Sequence, residues 1–123
     1  MQTRLAHVTP LPTDAVLAEY IITRRLGQGG FGTTYLCIDR NLGRKFVIKE
    51  YSPYHLVERR KNGELKAKAW KLRVALDKGL KGFLDEARRL ARFNHPNIVR
   101  INRYFEANGT GYFVVLSRCL WGN

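Results

Sequence analysis

The chain is 123 residues long, enough for one domain, and its 22 basic against 10 acidic residues give a formal net charge of +12. With 45% hydrophobic and 26% charged residues it can bury a core, which excludes wholesale disorder. It has no apolar run near the roughly 18 residues of a membrane span, no apolar N-terminal stretch of a secretory signal and no repeat period, and Cys37 and Cys119 are too few for a disulfide scaffold and read as reduced thiols of a cytoplasmic protein.

Residues 1–19 contain Pro10 and Pro12 and few periodic apolar positions, which predicts a flexible leader. Tyr20–Leu26, Thr33–Ile38 and Arg44–Glu50 are rich in β-branched and aromatic residues and predict three strands. The turns at Gly27–Gly32 and Asp39–Gly43 join them into an antiparallel meander. Pro53 ends that pattern, and Asn62-Gly63 is a hairpin signal around which Leu56–Arg60 and Glu64–Lys68 can pair. From Trp70 the spacing turns helical: Leu72, Leu76 and Leu80 recur every fourth residue, and Gly79 and Gly82 weaken that stretch. Phe83, Leu84, Ala87, Leu90, Ala91 and Phe93 share one face of a second helix, which Pro96 stops. Ile98–Phe105 and Tyr112–Leu116 predict two further strands on either side of Asn108-Gly109. The expected class is α+β: a five-stranded antiparallel sheet, one main helix and a basic insert over 51–82 before it.

The charge gathers in that insert. Residues 51–82 hold nine basic residues against Glu58, Glu64 and Asp77, which is half of the whole chain's excess. Such a surface either stays solvated or attracts an acidic partner or nucleic acid. Nucleic acid is not favoured, because Trp70 is the one aromatic between Arg59 and Lys81 on which a base could stack.

Gly27-x-Gly29-x-x-Gly32 is a weak signal by itself. A dinucleotide fingerprint needs a helix after its glycines, and a Walker loop ends in Gly-Lys-Ser/Thr. Here Thr33, Thr34 and Tyr35 continue as a strand and no lysine follows Gly32. Strand, glycines, strand fits a hairpin whose backbone lies over phosphates with Phe31 at its tip. Lys49 ends the apolar run Phe46-Val-Ile and can reach over the sheet toward the same phosphates. A partly buried lysine calls for a partner, and Glu86, beside Phe83, Ala87 and Leu90 on the helix, is the expected one.

Five segments in this order resemble the small N-terminal lobe of bacterial serine/threonine protein kinases: Leu26–Tyr35, Phe46–Lys49, Phe83–Ala87, His95–Val99 and Tyr112–Val115. The resemblance runs from about Glu19 to Val115, and Lys49-Glu-Tyr-Ser-Pro53 with its long link to the helix is similar to one bacterial subgroup. It implies an ATP-binding lobe over 20–115. Gly27, Gly29 and Gly32 would cover the phosphates with backbone N–H groups, Gln28, Gly30 and Phe31 of the same loop would also belong to the cofactor site, Lys49 would hold the phosphates, and Glu86 would orient Lys49. Leu26 and Val47 would sandwich the adenine, with Thr34 above it and Val115 at the back of the pocket. Thr34 stands where the family usually has valine, and Val47 where it usually has alanine.

Phosphoryl transfer in that family also needs a catalytic-loop aspartate and Mg²⁺ ligands. The sequence holds no His-Arg-Asp and no Asp-Phe-Gly. Mg²⁺ therefore belongs to the complete family, no metal ligand is assigned here, and a protein substrate is expected only where a C-lobe is supplied. The chain alone is expected to be inactive. Residues 116–123 break the family pattern and read as an aberrant tail of frameshift or early stop. Val115, Leu116, Leu120 and Trp121 would then expose an apolar face. The alternative is a non-catalytic basic binding module for an acidic partner or nucleic acid.

Overall fold

The computed structural model of the chain describes residues 8–92 and 101–116. The His95–Val99 motif, Cys119 and the tail beyond Leu116 lie outside the described residues. The elements run β1 (Val16–Leu17), β2 (Tyr20–Gln28), β3 (Gly32–Asp39), β4 (Lys45–Tyr51), β5 (Val57–Arg59), β6 (Leu65–Ala67), a 3₁₀ turn (Trp70–Leu72), α1 (Arg73–Leu90), β7 (Ile101–Ala107) and β8 (Thr110–Leu116). The main sheet is antiparallel throughout, in the order β1-β2-β3-β4-β8-β7, and β5 and β6 form a separate hairpin. It curls enough for Tyr20 of β2 to stack on Phe105 of β7, ring centroids 6.4 Å apart, and for Glu19 to pair with Arg103.

Three expectations need correction. The sheet has six strands rather than five, because the leader contributes β1, pairing Val16 with Ile21 and Leu17 with Tyr20. Leader residues 8–17 are also not a flexible arm: Val8, Leu11 and Leu17 are buried, and Leu11, Ala15 and Leu17 pack on the outer face of the sheet. The two helices expected around Gly79 and Gly82 are one helix, α1. Packing overrides the glycine penalty at Gly79, where a Cβ would come within 1.9 Å of the Tyr51 hydroxyl.

The turns follow their sequence signals. Asn108 and Gly109 both take positive φ (51° and 72°), the two-residue hairpin connection between β7 and β8. Gly63 (φ 92°) closes the β5–β6 loop, while Asn62 bonds Glu64 N–H through its side chain. Between β3 and β4 the Asp39 carboxylate accepts from the amides of Asn41 (2.7 Å) and Leu42 (3.0 Å).

The sheet has two apolar faces. On the outer one, Tyr20, Ile22, Tyr35, Cys37, Phe46 and Ile48 form the larger core under the leader. Cys37 is fully buried, bonds the Phe46 carbonyl, and burial pushes its thiol up to about 12. On the inner face Val47, Ile101 and Val115 meet Leu90 at the end of α1. Phe83 of α1 stacks on Phe113 of β8 at 5.2 Å. Val115, expected to be exposed with Leu116, is 2% exposed, because this helix end and β7 cover it. Among the described residues no helix is long and apolar enough to cross a membrane.

At the end of the outer core lies a buried ion pair. Glu50 is fully buried, and both its oxygens accept from Arg59 of β5, at 2.7 and 3.0 Å, with the Arg59 side chain 5% exposed. The Tyr112 hydroxyl donates to Glu50 at 2.6 Å and the Tyr35 hydroxyl at 3.2 Å. Burial works against the Arg59 charge, yet Glu50 outweighs it and holds the guanidinium above its usual value. Arg59 thus ties the β5–β6 hairpin to the sheet, and the Leu65 amide adds a bond to the Asn108 carbonyl at 2.8 Å.

Candidate functional site

Strand alternation divides β4: Phe46, Ile48 and Glu50 face the outer core, while Val47 and Lys49 face inward. The register then sets Thr34 of β3, Lys49 of β4 and Phe113 of β8 side by side. One step along, Val47 is opposite Val115, and Val115 opposite Ile101. These side chains with Leu90 line a pocket of about 350 Å³, and Leu26 packs against its Val47–Ile101–Val115 wall. It is an apolar slot with one cation at its end, which suits a flat apolar ring carrying an anionic tail.

The glycine loop is the β2–β3 hairpin. The Gly29 amide donates to the Gly32 carbonyl at 2.8 Å, and Ser52 N–H holds the Phe31 carbonyl at 3.0 Å. Gly32 has to be glycine, since a Cβ there would lie 2.0 Å from the Glu50 carbonyl oxygen. At Gly27, Gly29 and Gly30 a Cβ would meet nothing within 4 Å. Neither packing nor positive φ demands glycine at those three positions, so the space they leave is room for something to approach the backbone. The Gln28 side chain points away from the pocket and donates to the Val8 carbonyl at 2.6 Å.

The Lys49 ammonium lies 4.4 Å from the centroid of the Phe31 ring and 5.8 Å from that of Phe113. Burial lowers its pKa, and no carboxylate among the described residues is within ion-pair distance of it. The expected Lys49–Glu86 pair is not made here. Glu86 is 52% exposed and bonds Arg89, one turn on, at 2.6 Å. The helix turns Phe83, Ala87 and Leu90 to the sheet, and that rotation carries Glu86 to the solvent side.

The structure therefore brings together Leu26, Thr34, Val47, Lys49 and Val115 under the loop, and leaves Glu86 outside. The sequence reading missed Phe113, Leu90 and Ile101. Phe113 was within reach of it, being two residues before Val115 on one strand and hence on the same face. Ile101 and Leu90 depend on the β7 register and the helix rotation, for which the sequence carries no local signal. Among the described residues no three Asp, Glu, His or Cys side chains gather as a metal site.

The sequence pattern of the protein kinase domain matches residues 20–119. The chain belongs to the protein kinase domain family. Its fold is similar to that of PpkA-294 in its apo form, with a TM-score of 0.84 and 36% identity over 87% of this chain and 38% of that one. The PknI kinase domain of Mycobacterium tuberculosis shares the fold, with a TM-score of 0.60 at 21% identity. Among curated proteins, calcium-dependent protein kinase 24 of Oryza sativa subsp. japonica is 31% identical over 119 residues, which are 97% of this chain and 20% of that protein. Calcium-dependent protein kinase 10 of the same plant is 44% identical over 45 residues, 37% of this chain and 8% of the relative. The chain spans a fifth or less of the length of these two relatives. What it covers is the curled sheet and helix of a kinase N-lobe.

Proposed function

We propose that this chain is the ATP-holding half of a cytoplasmic serine/threonine protein kinase of bacterial type. The observation that carries the reading is Lys49: a partly buried cation without a carboxylate partner among the described residues, at the end of an apolar slot and under a loop whose glycines leave open space. Adenine would lie between Leu26, Val47 and Val115, its phosphates against Lys49 and the loop amides. The Phe31 ring, now over Lys49, would give way to them. Glu86 would orient Lys49 only after leaving Arg89 and turning toward the sheet. ATP supplies the phosphoryl group, and its Mg²⁺ takes no ligand from the described residues in this reading. The resemblance to PpkA-294 supports a bacterial type.

The test is titration of the 123-residue chain with ATP by calorimetry, alongside Lys49→Met. Binding by the wild type and a loss of at least about tenfold in the variant, at equal unfolding midpoint, is the expected result. No autophosphorylation with Mg²⁺ is expected from this chain alone, since the sequence carries no His-Arg-Asp or Asp-Phe-Gly. A wild type that binds no ATP would overturn the reading.

A further inference from the structure

The loop over the pocket does not stand free. Gln28 at its entry donates its amide N–H to the Val8 carbonyl (2.6 Å) and lies 3.4 Å from the Thr33 hydroxyl, while its oxygen accepts from Arg25 (2.7 Å). Thr33, at the loop's exit, is buried and shares a hydrogen bond with the equally buried Ser52 (3.0 Å). One side chain thus spans both legs of the loop and fixes them to the leader.

The leader end of that contact is itself held. Val8 is buried against Val57 and Leu65 of the insert hairpin. Arg59 donates to the Thr9 carbonyl at 3.0 Å, and the Leu11 amide donates to the Tyr35 hydroxyl at 2.9 Å. Arg59 and Tyr35 both rest on Glu50, the residue after Lys49. A backbone carbonyl anchored at three neighbouring points is a fixed post. A side chain bonded to it gives the loop one height over the pocket.

We propose that residues Val8–Leu11 form a strap that positions the glycine loop through Gln28, with the β5–β6 hairpin as its anchor. Gln28 is a positioning residue here: it acts on the loop backbone and not on a ligand. The need for a donor and an acceptor on one long side chain explains the glutamine. The consequence for nucleotide affinity rests on the ATP reading above; the strap itself does not.

Two readouts separate the two claims. The first is hydrogen exchange of residues 29–33 and of the Leu11 amide in the 123-residue chain without nucleotide. The second is ATP affinity of the same samples. Gln28→Met keeps length and loses both hydrogen-bonding groups. Deleting residues 1–8 removes the carbonyl and keeps the glutamine. Each change is expected to speed exchange at 29–33 severalfold, and the combination to add little to Gln28→Met alone, since both remove the Gln28–Val8 bond. ATP affinity should fall between about twofold and tenfold in Gln28→Met, the range one neutral hydrogen bond carries, at unchanged unfolding midpoint. Unchanged exchange at 29–33 in Gln28→Met overturns the strap, as does a rise spread evenly over the whole chain. A wild type that binds no ATP removes the nucleotide reading, and the exchange readout then decides the strap alone.

Discussion

Lys49 combines two demands that oppose each other. Burial among Val47, Phe113 and Phe31 favours its neutral form and lowers its pKa, whereas a phosphate needs the ammonium. The sign follows. Below the lowered pKa the free protein already carries the charge, and affinity for ATP is full. Above it, binding must take up a proton, and affinity falls by up to about tenfold per pH unit until the pKa of the complex is passed. Calorimetric titration across the alkaline range in buffers of different ionisation enthalpy checks this: proton uptake should appear as pH rises, and Lys49→Met should show none. The lysine was legible in the sequence as the charged end of an apolar strand. Its neighbours were less so. The carboxylate expected beside it, Glu86, lies one face away on α1 and bonds Arg89, while the carboxylate next to it in the chain, Glu50, points through the sheet to Arg59. Period alone tells which residues share a helix face, but not how that face is turned about the axis.

Glycines in α1 make the same point for a whole element. Gly82 has open space around its missing Cβ, so Gly82→Ala should stabilise the chain by about 0.5–1 kcal/mol through helix propensity alone. Gly79→Ala should destabilise it instead, because the new methyl meets Tyr51, which Phe83 holds in place at 5.5 Å between ring centroids. Urea unfolding of the two variants tests both signs. The sequence marks both glycines as helix weakeners and so divides one helix into two; only the Tyr51 contact tells them apart. The hairpin β5–β6 is the opposite case. Its Asn62-Gly63 turn is read directly, yet what fastens it, Arg59 on Glu50, joins residues from separate elements. Arg59→Met leaves Glu50 buried without its cation and should cost about 3–5 kcal/mol by urea unfolding. Removing both charges together, as Glu50→Met with Arg59→Met, should recover part of that loss.

Over the whole molecule, the β2–β3–β4 meander, the β7–β8 turn and the antiparallel class were legible, because turn signals and β-rich runs are local, whereas the β4–β8 pairing that joins the two parts has no local signal. The role of the leader was not. Its prolines and sparse apolar residues look like an unanchored end, and only the curled sheet provides the face that Leu11 and Leu17 cover. That closure shapes the chemistry of a buried thiol. Cys37, fully buried beneath the leader with its pKa pushed up to about 12, is both out of reach and un-ionised at neutral pH. In a Cys119→Ser background it becomes a clock: an alkylating reagent can mark it only when the sheet opens, so the labelling rate counts openings of the fold. ATP, if it holds the folded chain together, should slow that clock in proportion to its occupancy.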